Sequence, residues 1–210
     1  MKISFIHIPK NGGSSIAKIV KKNQNNPLKY YFHSVDPFKL DKKRPNLYIL
    51  RDPINRFCSA VNYALQKWGH QGSVKECIKN GINTPEKFIQ CYKDKNNPYH
   101  HLVKDEIENQ KGIHNIGKKI LFYKWTYTPQ IDWIREKNSI FVLFENMNEE
   151  LQYIFSKINL NVVISKENST KKNDNNLSQD SIDFLHELYK EDFIFINKIK
   201  NMSKKDRLLI

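Results

Sequence analysis

With 210 residues, of which 39% are hydrophobic, the chain has the length of one ordinary domain and enough apolar content for a substantial core. Its formal charge of +13 favours polyanions as partners: nucleic acid, anionic polysaccharide, a phosphorylated cofactor or a membrane surface, among which charge alone does not choose. The three cysteines, Cys58, Cys77 and Cys91, form no Cys-x-x-Cys pair, so neither a zinc site nor a disulfide framework is indicated.

The first element is a short apolar run ending in Pro9, which predicts a buried strand. Small residues then open a helix with apolar positions at Ile16, Ile19 and Val20. Between them lies Pro9-Lys10-Asn11-Gly12-Gly13-Ser14-Ser15, an anion-binding pattern. Gly12 and Gly13 let backbone N–H groups converge on an oxyanion, and Ser14 and Ser15 add hydroxyl donors at the positive end of the helix dipole. In the nucleotide-triphosphate loop the lysine follows the last glycine. Here Lys10 precedes Gly13 by three residues, so that reading fits poorly.

Leu28 to Phe32 predicts a second strand, with His33 at its C-terminal end, and Leu47 to Leu50 a third, stopped by Arg51-Asp52-Pro53. Asn55 to Trp68 has a helical pattern. Gly69 to Gly81 reads as an irregular surface segment, and Thr84-Pro85 as an N-cap with proline at the first helical position, opening a helix to about Tyr92. Lys93 to Lys119 predicts no clear element. Pro129 to Glu136 reads as a short helix, Ser139 to Phe144 as a buried strand, Met147 to Ile158 as a helix and Val162 to Ile164 as a last strand. Ser178 to Ile199 predicts an amphipathic helix breaking near Glu191-Asp192, and the tail from Asn201 is expected to fray. Strands alternating with helices predict one α/β domain over residues 1–210, with a mainly parallel sheet whose ligand loops gather at the C-terminal strand ends.

The second chemical constellation is Arg51-Asp52-Pro53-Ile54-Asn55-Arg56-Phe57-Cys58-Ser59. Arg51 offers a planar fork of donors suited to phosphate, and Ser59 lies about two turns into the following helix. Asp52 and Pro53 read as a cap and an early helical proline. Together, Ile8 to Ser15 and Arg51 to Ser59 resemble the two cofactor signatures of sulfotransferases that use 3′-phosphoadenosine 5′-phosphosulfate, nearest the Golgi carbohydrate group that includes heparan and chondroitin sulfotransferases. Trp125 to Gln130, Phe141 to Met147, Asn168 to Lys171 and Tyr189 to Phe193 extend the similarity, while residues 69–119 carry little of it.

The resemblance implies a P-loop-like three-layer sandwich and no metal requirement. It implies that Lys10, Asn11, Gly12, Gly13, Ser14 and Ser15 grip the 5′-phosphosulfate, that Arg51 and Ser59 hold the 3′-phosphate, and that Ser169, Thr170 and Lys171 close over the nucleotide. Lys10 would face the leaving oxygen, and His33 would serve as general base toward a hydroxyl acceptor, expected to be a glycan; adenosine 3′,5′-bisphosphate (PAP) would be the nucleotide product. Glu145 ranks behind His33 as base. His7 is expected inside the first strand, packed beside the loop, and His100 and His101 stay open between acceptor contact and solvation. Trp133 is expected to pack in the core; Trp125 is open between packing and stacking on a ligand. A P-loop nucleotide kinase and a non-catalytic polyanion-binding module are the alternatives, and no specific nucleic-acid partner is expected.

No apolar run approaches the roughly 18 residues of a membrane span, and no charged-then-apolar leader opens the chain. The expectation is a soluble, cytoplasmic protein by default, and a Golgi or secretory one only if a targeting segment lies outside this sequence.

Overall fold

The apolar runs near residues 3, 47 and 140 become neighbouring strands, because each is hydrophobic on both faces and needs cover on both. The computed structural model describes residues 2–22, 27–32, 37–108, 114–116, 119–121, 126–162, 164 and 176–208. In chain order these comprise β1 (Ile3–Ile6), α1 (Gly13–Lys22), β2 (Leu28–Tyr31), β3 (Asn46–Leu50), α2 (Pro53–Trp68), α3 (Gly72–Lys79), α4 (Pro85–Lys93) and α5 (His100–Ile107). A small antiparallel hairpin follows, β4 (His114–Ile116) with β5 (Lys119–Leu121), then β6 (Ser139–Leu143), α6 (Met147–Lys157), α7 (Gln179–Leu188), α8 (Lys190–Asn201) and α9 (Lys204–Arg207).

Among the described residues the main sheet has four strands, all parallel, in the order β2-β1-β3-β6. Side chains alternate between its faces with the strand period of two. Leu47, Ile49, Ile140 and Val142 pack with Ile16 and Ile19 of α1 and with Leu151, Ile154 and Phe155 of α6. Tyr48, Leu50, Phe141 and Leu143 pack on the other face with Trp133 and with Phe195, Ile196 and Ile199 of α8. The protein is therefore an α/β fold with a parallel sheet between helices. A third cluster joins α2, α4, α5 and α7 through Phe57, Val61, Phe88, Ile89, Val103 and Leu185.

The chain leaves β1 for β2 on one side and then returns to place β3 on β1's other side. That reversal makes a topological switch point, and open parallel sheets form their ligand crevice there, at the C-terminal strand ends. The loops after β1 and β3 are the two sequence motifs.

Several expectations need correction. Gly69 to Gly81 is not irregular: it contains α3, which buries Val74 and Cys77. The unread segment 93–119 contains α5 and β4 and ends at the first residue of β5. Residues 130–133 form a single 3-10 turn rather than a helix to Glu136, and Val162 and Ile164 lie outside any strand. The long C-terminal helix breaks at Tyr189, two residues earlier than expected. The tail does not fray at Asn201, because Arg207 of α9 forms a buried bidentate pair with Glu150 of α6, with Nη1 at 2.7 Å from Oε2. By contrast, Thr84 caps α4 and Pro85 opens it as expected, and Trp133 is fully buried. Among the described residues no helix is long and apolar enough to cross a membrane.

Candidate functional site

The β1 loop turns sharply because two residues adopt left-handed backbone, Lys10 at φ 68° and Gly12 at φ 81°. Glycine takes this conformation freely; lysine does so at a cost, which the surroundings must offset. The carbonyl of Lys10 accepts from Arg51 Nη1 at 2.9 Å, and that of Pro9 accepts from Arg56 Nε at 3.0 Å. Two guanidinium groups thus hold the loop from the β3 side. Room for the turn also comes from the glycines. A Cβ on Gly12 would lie 2.8 Å from Met147 Sδ, and one on Gly13 would lie 2.0 Å from the His7 ring. His7 packs against the loop as expected, with Nδ1 at 2.7 Å from the Tyr30 hydroxyl, but it lies just past the end of β1 and not inside the strand.

A buried polar joint ties the two motifs to the rest of the sheet. Asn11 donates from Nδ2 to the Ile49 carbonyl and to Gln130 Oε1, both at 2.6 Å. Gln130 Oε1 also accepts from Arg51 N at 3.1 Å, while Gln130 Nε2 donates to the Arg51 carbonyl at 2.7 Å. Asp192 of α8 then accepts from the backbone N–H groups of Gln130 and Ile131, each at 2.8 Å. Burial pushes the Asp192 carboxyl upward, and the Arg56 charge and those N–H donors oppose the shift. Such a joint positions backbone with little freedom to drift.

Among the described residues three cations gather at this crevice. Arg51 is half-buried, with its guanidinium 4.5 Å from the Phe144 ring centroid, and Arg56 is buried at 1% exposure. The Lys10 ammonium sits 3.8 Å from the ring centroid of Tyr63 on α2. Burial, then repulsion from Arg51 and Arg56, lowers the Lys10 pKa from 10.5 to about 8. Burial also lowers that of Arg51, with Arg56 adding to the effect. Gly13 and Pro53 each begin a helix here, so two N-termini bring partial positive charge to the same crevice. At α2 the Asp52 side chain takes one free donor, accepting from Asn55 N at 2.8 Å.

Ser14 is exposed, Ser15 is buried at 5%, and Ser59 lies one turn before Tyr63 on the same face of α2. The structure therefore brings Lys10, Gly12, Gly13, Arg51 and the Ser59 face of α2 to one place, with the Asn11 side chain engaged in the joint below. His33, Ser169, Thr170, Lys171 and Trp125 lie outside the described residues. Glu145 is exposed past β6 and acts electrostatically on Arg51. His100 sits in α5, stacked on Tyr92 at 6.0 Å with Nδ1 at 3.2 Å from the Cys91 carbonyl, whereas His101 is exposed. Cys58 is buried with its thiol pushed up to about 12, which makes it a poor nucleophile.

Comparison with protein-family models, with curated proteins and with solved structures finds no match to this chain. The functional reading rests on the site itself. Sequence reasoning missed Arg56 as the buried clamp, Tyr63 as the seat of the Lys10 ammonium, and Gln130 with Asp192 as the joint. The i to i+4 spacing of Ser59 and Tyr63 is the signal that points to Tyr63. Gln130 and Asp192 lie in two of the segments that extend the resemblance, but nothing local pairs them.

Proposed function

We propose that this protein is a sulfotransferase with a P-loop-like nucleotide site, moving a sulfuryl group from 3′-phosphoadenosine 5′-phosphosulfate to an acceptor hydroxyl on a carbohydrate. The observation that carries the reading is the half-buried Lys10 ammonium, at the mouth of a glycine turn and beside Arg51, at the β1/β3 switch point. A triphosphate loop carries its lysine after the glycines; Lys10 stands before them, free to meet an oxygen at the edge of the loop.

The chemistry assigned to the residues follows from charge flow. In-line attack forms the bond from the acceptor oxygen to sulfur while the bond from sulfur to the phosphate oxygen breaks, and negative charge collects on that leaving oxygen. Lys10, whose pKa is lowered to about 8, remains mostly protonated at neutral pH and answers that charge directly. The N–H groups at Gly12 and Gly13 hold the 5′ end, and Arg51 with Ser59 holds the 3′-phosphate. His33 takes the acceptor proton, a contribution of about 10²-fold to 10⁴-fold for a well-placed base.

The deciding experiment is calorimetric titration with adenosine 3′,5′-bisphosphate in a chelating buffer, followed by transfer of labelled sulfate to a panel of glycans, tyrosyl peptides and phenols. Tight magnesium-independent binding and labelled glycan support the proposal. Binding of ATP only with magnesium would move the reading to a nucleotide kinase, and absence of transfer to every acceptor class would move it to a polyanion-binding module.

A further inference from the structure

Within the proposed sulfuryl-transfer reading, we infer that Tyr63 is a positioning residue that fixes the Lys10 ammonium at the mouth of the loop. The aromatic face attracts the cation through its quadrupole, and the Nζ lies 3.8 Å from the ring centroid, well inside the range where this attraction is significant. The ring is itself braced: Trp68, also on α2, meets it edge to face at 5.5 Å with planes 83° apart.

Lysine has four rotatable side-chain bonds, and a free ammonium would sample many positions around the crevice. Arg51 and Arg56 repel it from the β3 side, and the left-handed backbone at residue 10 sets the direction in which the side chain leaves the loop. Tyr63 supplies the attractive surface opposite those charges. Main chain and side chain of one lysine are thus held separately, the first by the Arg51 bond to the Lys10 carbonyl and the second by the Tyr63 ring. A cation held in advance loses little entropy when it meets a developing oxyanion. The hydroxyl of Tyr63 has no part in this, so Phe should replace Tyr and Leu should not.

The test uses the full chain with carbon-13-labelled lysine. In the wild type one CεH2 pair, identified by its loss in Lys10→Met, is shifted upfield by the ring current. Tyr63→Phe keeps the upfield pair and Tyr63→Leu moves it to the ordinary lysine position. In sulfate transfer Tyr63→Leu lowers kcat about fivefold, the scale of one lost exposed contact of this kind, with a smaller change in KM for the donor, and Tyr63→Phe restores kcat. An unshifted Lys10 pair in the wild type, or an unchanged pair in folded Tyr63→Leu, overturns the positioning role. Should the pair follow the ring through the series while the wild type transfers no sulfate, the contact is upheld and the sulfotransferase reading fails.

Discussion

Arg51 donates from Nη1 to the Lys10 carbonyl at 2.9 Å, so a guanidinium from the second motif holds the backbone of the first. The two loops form one device: the turn after β1 keeps its left-handed residue partly because the turn after β3 sits against it. Losing either loop should therefore damage both.

Arg51→Ala removes that bond, the Phe144 contact and the charge that the proposed function assigns to the 3′-phosphate. A charged hydrogen bond contributes about 1.5–3 kcal/mol, so affinity for adenosine 3′,5′-bisphosphate should fall about 10-fold to 100-fold. Calorimetry checks this, and unaltered affinity would remove Arg51 from the site.

Affinity for the same bisphosphate should fall as pH rises through about 8, because Lys10 loses its positive charge there and not near 10.5. Lys10→Met should bind more weakly and show no inflection in this range. The effect on stability has the opposite sign: between about 8 and 10.5 the unfolded chain holds the lysine proton and the folded chain does not, so the Lys10 contribution to stability rises with pH. A wild-type binding profile flat from pH 7 to 9.5 would contradict the assignment.

Gly13→Ala places a methyl 2.0 Å from the His7 ring, which the Tyr30 hydroxyl helps to hold. Overpacking of this kind costs about 1–3 kcal/mol. Removing the ring should recover part of the loss, so Gly13→Ala in a His7→Ala background should cost less than in the wild type. Urea unfolding of the four proteins measures the coupling, and additive costs would mean that the two residues do not meet.

Arg207→Met leaves Glu150 buried at 1% exposure without its bidentate partner, and should destabilise the protein by about 3–5 kcal/mol. Replacing both residues by apolar ones should recover much of this. Equal stability of wild type and Arg207→Met in chemical denaturation would show that the C-terminal turn is not anchored as described.

Local signals were enough for the elements whose stability is local or whose burial is total. The runs at β1, β3 and β6 are mostly apolar because both faces of this parallel sheet are covered, and Thr84-Pro85 announces α4 by the chemistry of its own first turn. The two loops at the strand ends were legible for the same reason, since glycine, proline and serine there set the turn and the helix start by their own spacing. Short helices were not: α3 and α5 have eight residues each and owe their stability to burying Cys77, Val103 and Ile107 in the helical cluster.

The sequence by itself determined an α/β chain with two cationic loops at strand ends, because residue spacing sets backbone direction over a few residues. Only the tertiary structure decided how each side chain is used. Arg51 and Arg56 look alike in one motif, yet the turn into α2 leaves the first half-buried at the crevice and buries the second against Pro9. Gln130 and Asp192 join the site from far along the chain, since their partners are set by sheet order rather than by neighbours in sequence. The displaced Lys10 belongs to both accounts. Its place before the glycines is read from the sequence, whereas its lowered proton affinity and its seat on Tyr63 exist only when β1, β3 and α2 come together.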